Sequence, residues 1–208
     1  MKIEQNGHDL VIVTERIDDV PLLLGFMDRI GLSEILDKHI PVHWKQRSLS
    51  WGRTATIWLA HILTEGDHRK STMEEYIKGM KNTLSSFLGE DVNESDFATD
   101  RLAHLLKYLS RKSIWEPIEQ ALNERSIEVY DLPQEVVRCD ATTVSGYHEG
   151  GETSLFQFGH SKDNPQLKQI KIMTGALDPL GMPLATDVVS GEKADDALYL
   201  PIISPIGQ

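Results

Sequence analysis

Apolar positions recur every three to four residues through roughly the first two-thirds of the chain, and a shorter, strand-like period takes over after that. Asp9-Leu10-Val11-Ile12-Val13-Thr14 reads as a short strand, half of a hairpin with the residues before it. Ile17-Asp18-Asp19-Val20-Pro21 opens a helix, with an Asp near the cap and Pro21 in the first turn. Leu22, Leu23, Phe26, Met27 and Ile30 follow at helical spacing, and Gly31 stops the run. A second short helix spans 32–40 and is closed by Pro41. Ser50 caps a third, 51–65, whose Ile57, Trp58, Ala60, His61 and Leu63 supply a largely buried face. Two further helices are expected around 72–80 and 84–89. Asp96 or Thr99 begins the strongest one, striped by Leu102, Leu105, Leu106 and Leu109. Its partner, 113–125, offers Ile114, Trp115, Ile118 and Leu122.

After Asp131-Leu132-Pro133 the period changes. Residues 136–146 are rich in β-branched side chains and bounded by Pro133 and Gly146, so they read as a strand. A second strand is expected over 169–177 and a third over 184–190. Asp178-Pro179-Leu180-Gly181-Met182-Pro183 joins them as a tight turn. A last helix is expected over 197–203. The expectation is an α+β chain: a mainly helical region, 1–132, and a second domain, 134–208, of three strands and a helix. Three strands and one helix make only the front of an α/β sheet. One long edge would stay unpaired, so this domain reads as incomplete.

Composition changes the picture little. At 208 residues, 40% hydrophobic and 25% charged, the chain is an ordinary globular one. Its apolar runs are too short to span a bilayer, and its first residues have no signal-peptide core. A single cysteine, Cys139, leaves no intramolecular disulfide. A soluble cytoplasmic protein is expected, with no membrane partner. The net charge of −11 argues against coating nucleic acid by bulk electrostatics. A local basic groove stays compatible with it.

Residues 43–53 are such a stretch: Lys45, Arg47 and Arg53 with Trp44 and Trp51. They can contact a DNA backbone with aromatic support, or simply form a solvated loop before the third helix. His68 lies in a polar turn without partners at ligand spacing. Asp140, at the centre of the 136–146 strand, is the foremost candidate for chemistry.

The motifs in order resemble one family, the DDE transposases of bacterial insertion sequences of the IS4-like and IS1634-like type. Asp140-Ala141-Thr142-Thr143 is similar to the Asp-x-Thr-Thr of its first catalytic strand. Gly159-His160-Ser161-Lys162-Asp163 resembles the run before the second strand, and 178–183 the Asp-x-x-Gly-x-Pro hairpin. Gly191 with Asp195 looks like the Gly-x-x-x-Asp after the third strand. Thr99-Asp100-Arg101-Leu102 looks like its Asp-Arg-Leu helix start. Residues 17–77 correspond to its N-terminal helical domain, with 95–125 as a helical pair.

The resemblance implies a ribonuclease-H-like catalytic domain and DNA transposition by Mg²⁺-dependent phosphoryl transfer. Two ions about 3.5–4 Å apart activate the attacking oxygen and stabilise the leaving one in such reactions. Asp140 would be a catalytic metal ligand. The family's second Asp and its Glu fall beyond residue 208, so this portion is expected to be inactive alone. Asp195 reads foremost as a cap of the last helix, with metal ligation the alternative. His160, Lys162 and Lys168 are candidate DNA contacts beside Lys45, Arg47 and Arg53. The partners implied are transposon-end DNA and a second copy or a full-length transposase. Two other readings stay open: a truncated, non-catalytic DNA-binding regulator, and a ribonuclease-H-like nuclease using Asp140 and Asp195.

Overall fold

A computed structural model describes residues 2–5, 8–11, 14–42, 48–149, 151, 153–160, 164–199 and 202, with side chains from residue 14 onward. The chain divides into two compact units, Met1–Ile118 and Glu119–Gln208. The division falls inside a helix rather than at Pro133, where the hydrophobic period changes. No helix among the described residues is long and apolar enough to cross a membrane.

The first unit opens with an antiparallel hairpin, β1 (Lys2–Gln5) and β2 (His8–Val11). Helices follow: α1 (Val20–Arg29), α2 (Leu32–His39), α3 (Trp51–Glu65), α4 (Met73–Leu88), α5 (Thr99–Leu109) and α6 (Lys112–Tyr130), the last crossing into the second unit. Pro21 sits in the first turn of α1, and Gly31 turns the chain between α1 and α2 at φ +68°. Ser50 caps α3 by accepting the Arg53 N–H at 3.1 Å. The apolar stripes converge on Ile57, Met73, Ile77, Leu84, Phe97, Leu102 and Leu105, all essentially without exposed surface.

Two expected helices, 72–80 and 84–89, are one. α4 runs through with a kink at Met80, whose φ of −140° is not helical. The kink costs backbone bonds just beyond it, and a distant side chain makes them good. The Glu15 carboxylate accepts the N–H of Asn82 at 3.0 Å and of Thr83 at 2.7 Å, as a cap would. Two leucines also depart from their expected faces: Leu63, expected on the buried face of α3, is 57% exposed, and Leu106 of the α5 stripe is 45% exposed, whereas Leu102 and Leu105 are buried.

The α2–α3 seam is set by Gly52. A Cβ there would lie 2.0 Å from the Ser33 carbonyl oxygen, while its N–H donates to Asp37 Oδ1 at 2.6 Å. Only a residue without a side chain permits that approach.

The second unit carries a three-stranded antiparallel sheet in the order β3 (Val137–Gly146), β4 (Lys168–Leu177), β5 (Met182–Ser190). Pro183 lies on the edge strand β5, where a missing N–H is tolerated. The register is regular up to an irregularity at Gly175/Ala176. The Asn123 side-chain amide of α6 donates to the carbonyl of Leu184, beside that irregularity. Along β4 every second residue is buried: Gln169, Lys171, Met173, Gly175 and Leu177. Met173 joins Ala185, Val189, Leu198 and Ile202 in a core cluster, with Cys139 and Ala141 packed against it. The expected last helix is a 3-10 turn, Asp195–Leu198, with Ile202 also helical; 200, 201 and everything from 203 lie outside the described residues.

Two outcomes follow for the first unit. Gly52→Ala should destabilise it by about 1–3 kcal/mol through overpacking, whereas Gly25→Ala in α1, with open space around its Cβ, should stabilise by about 0.5–1 kcal/mol. Urea unfolding of both variants checks this. His61 is buried against Tyr76, and burial lowers its pKa from 6.5 despite the pull of Asp67 and Glu65. The folded state therefore resists a proton that the unfolded chain accepts. Stability should be full above that ordinary value and fall as the pH drops below it. His61→Gln should flatten this loss between about pH 7 and 5.5, measured by urea midpoints.

Candidate functional site

Side chains alternate across a strand, so Arg138, Asp140, Thr142 and Val144 share one face of β3, and all four are exposed. Directly across from Asp140 stands Thr174 of β4, and across from that Thr186 of β5. Asp140 Oδ1 accepts the N–H of Ala141 at 2.9 Å. Arg138 is engaged elsewhere, in an ion pair with Asp178 at 2.8 Å. Asp140 thus offers a hard oxygen donor, the ligand type Mg²⁺ selects, from the middle of a hydrogen-bonded strand. It is one ligand. Among the described residues no three or more His, Cys, Asp or Glu side chains stand close enough together to hold a metal ion.

Asp195 belongs to the opposite face. Lys171 pairs with Thr143, one step out of phase with Asp140, so its side chain points to the core side of the sheet. There its ammonium, in a side chain only 8% exposed, meets Asp195 Oδ1 at 2.5 Å. A buried ammonium needs such a partner. Asp195 therefore does not cap the last turn, since Ala194 holds that position and no cap bond forms. Nor does it converge with Asp140 into a shared carboxylate pair.

The Gly159 and Gly191 signals prove to be one feature. Gly191 approaches so closely that a Cβ on Gly159 would lie 2.0 Å from its carbonyl oxygen, and one on Gly191 would lie 2.1 Å from the Gln169 carbonyl oxygen. Gln169, fully buried, exchanges backbone bonds with Gln157 at 3.1 and 2.9 Å and donates its side-chain amide to the Gly191 carbonyl at 2.9 Å. This crossing pins the 155–160 segment to the end of β4.

The candidate DNA contacts separate. Arg53 is taken up inside the first unit by Asp28 at 2.9 Å and Glu90 at 3.4 Å, a structural use that its basic neighbourhood concealed. His160 is exposed, and its carbonyl accepts the Gln169 side-chain amide at 3.4 Å. The Lys168 ammonium lies 5.8 Å from the centre of the Phe158 ring. Lys45, Arg47 and Lys162 lie outside the described residues. Reading for charge missed the aromatic residues: Tyr147, His148, Phe156 and Phe158. Tyr147 and His148 directly follow β3, and Phe156 and Phe158 stand two residues apart, a clustering that is visible in the sequence.

Removing the Asp195 charge should expose the difference between the two carboxylates. Asp195→Asn leaves the Lys171 ammonium without its counter-ion and should cost about 1–3 kcal/mol, partly recovered in the double variant with Lys171→Met. Asp140→Asn should change stability by less than about 0.5 kcal/mol. Thermal or urea unfolding distinguishes them.

No curated protein and no solved structure matches this chain. A family model does, over residues 12–120, which is more than half of the chain and spans the whole helical array from α1 to α5. Its description is a domain of unknown function, DUF4277, and this chain belongs to that family.

Proposed function

We propose that this chain is the front portion of an insertion-sequence transposase of the DDE type, and that its second unit is the start of a ribonuclease-H-like catalytic domain acting on DNA. One observation carries the reading: Asp140 projects from the exposed face of β3, the outer strand of an all-antiparallel β3-β4-β5 sheet. A carboxylate at mid-strand is held by the ladder on its β4 side. The other side of β3 pairs with no strand among the described residues.

Strand cleavage and joining are in-line phosphoryl transfers, in which positioning and charge stabilisation do most of the work. Mg²⁺, when bound, supplies activation of the attacking oxygen and neutralisation of the leaving one. The residues that serve this purpose here are few. Asp140 would hold metal through its carboxylate, with the Ala141 N–H fixing its rotamer. Lys171 of the neighbouring β4 is neutralised by Asp195 on the opposite face. One carboxylate cannot hold two ions, and the 208 residues alone are expected to bind DNA without cutting it.

Reading the coding DNA past codon 208 tests this. The expected frame continues with a helix, an apolar strand ending in Asp, and a later helix carrying Glu. In that longer chain Asp140→Asn should abolish Mg²⁺-dependent strand cleavage and leave DNA binding intact. A frame lacking both acids overturns the transposase reading. Specific binding of terminal inverted repeats without cleavage would then point to a regulator. Mg²⁺-dependent cleavage by the 208-residue chain, lost on Asp140→Asn, would point to a stand-alone nuclease.

A further inference from the structure

Beyond the Asp140 face, the second unit holds an open cleft of about 410 Å³ where the end of β3 meets the start of β4. Its walls include Tyr147, His148, Glu149, Phe158, Gln166 and Lys168. Two of these rings stand in solvent: Tyr147 is 91% exposed and Phe158 is 58% exposed. The His148 ring stacks on Phe156, with ring centres 3.6 Å apart. The Lys168 ammonium stands beside the Phe158 ring, 5.8 Å from its centre.

Exposed rings gathered in one concave place mark a binding surface rather than a core. The combination here is specific. Tyr147 and Phe158 are exposed, the Lys168 ammonium lies over the Phe158 ring, and an amide and a carboxylate, Gln166 and Glu149, also line the cleft. An unpaired nucleobase matches each part. Its π-face stacks on the rings. Its phosphate meets the ammonium. Its edge offers donors and acceptors to Glu149 and Gln166. Paired bases inside a duplex have both faces covered and cannot use the rings. The segment that carries Phe158 is also anchored through its backbone, by the Gln157–Gln169 pair and the Gly159–Gly191 approach.

We propose that this cleft binds an unpaired base of single-stranded DNA, stacked on Tyr147 and Phe158 with its phosphate on Lys168. The inference rests on DNA being the substrate, and it adds a grip on a melted or flipped-out segment away from Asp140.

The test uses the 208-residue chain in EDTA with a fluorescently labelled oligothymidylate, read by anisotropy. Tyr147→Ala and Phe158→Ala should each weaken binding by roughly 5- to 150-fold, the range for loss of one base–aromatic stack. Neither should alter binding of a duplex of the same length. Lys168→Gln should weaken binding and flatten its salt dependence. An oligonucleotide carrying 5-iodouracil should photocrosslink to Tyr147 or Phe158 in the unaltered protein, a readout that no misfolded variant can confuse. No binding of the oligothymidylate, binding indifferent to both ring substitutions, or crosslinks confined elsewhere would overturn the proposal. Equal competition by polyglutamate would overturn it too, since it would reduce the site to charge. Oligouridylate binding as tight or tighter would overturn the assignment to DNA. These results are independent of the downstream reading frame. If the ring effects hold and the frame lacks its two acids, the base site stands while the transposase reading falls. The reverse pairing of results separates them equally well.

Discussion

The second unit depends on a backbone crossing that only glycine allows. At Gly159 and Gly191 the chain comes within a distance that no Cβ could share, and Gln169 lies between them with its amide turned to the Gly191 carbonyl. Three segments far apart in sequence are joined there. One leads to Phe158 and the aromatic cleft. Another is β4, the central strand. The third leaves β5 toward Asp195, which then reaches Lys171 across the sheet's buried face. A side chain at either glycine would separate these segments and shift the one that carries Phe158 away from β4.

The first unit relies on a different device, a pair of charges put to use on backbone. Arg101 donates to the Leu49 carbonyl and to Ser48 Oγ at 2.5 Å, and its guanidinium lies 4.4 Å from the centre of the Trp51 ring. Asp96, 4% exposed, accepts the N–H of Leu49 at 3.2 Å and of Asn93 at 3.0 Å. Both thus hold the turn that starts α3. Burial lowers the Arg101 pKa and Asp96 pulls it back, and a guanidinium stays charged under such conditions. Arg101 at the start of α5 is therefore a structural clamp within the helical family domain.

The two carboxylates singled out by their motifs have separate tasks. Among the described residues Asp140 makes only a local bond to its neighbour's amide, and its face of β3 is exposed. Asp195 neutralises an ammonium that the sheet buries. A motif of given type and spacing can hold either kind of residue, because an exposed strand Asp and a counter-ion Asp look identical in one dimension. Arg53 is the mirror case: a cation in a basic stretch that two acids, Asp28 and Glu90, bind within the fold.

Periodicity alone located most elements. The 51–65 helix with its Ser50 cap and the strands near 136–146 and 169–177 were legible because burial on one side of a helix or sheet imposes a local repeat on residue type. Local signals also placed the turn after Leu177, although Met182 and Pro183 of the expected 178–183 turn belong to β5, and they placed Asp140 at mid-strand. What the tertiary structure decided involves partners distant in sequence. Glu15 caps the kink that makes α4 one helix; Gly159 meets Gly191; Asp195 finds Lys171; and Tyr147 and Phe158 come to share a cleft. Such pairings leave no repeat in the chain, since backbone approach, ion pairing and ring exposure depend on where the segments arrive in space.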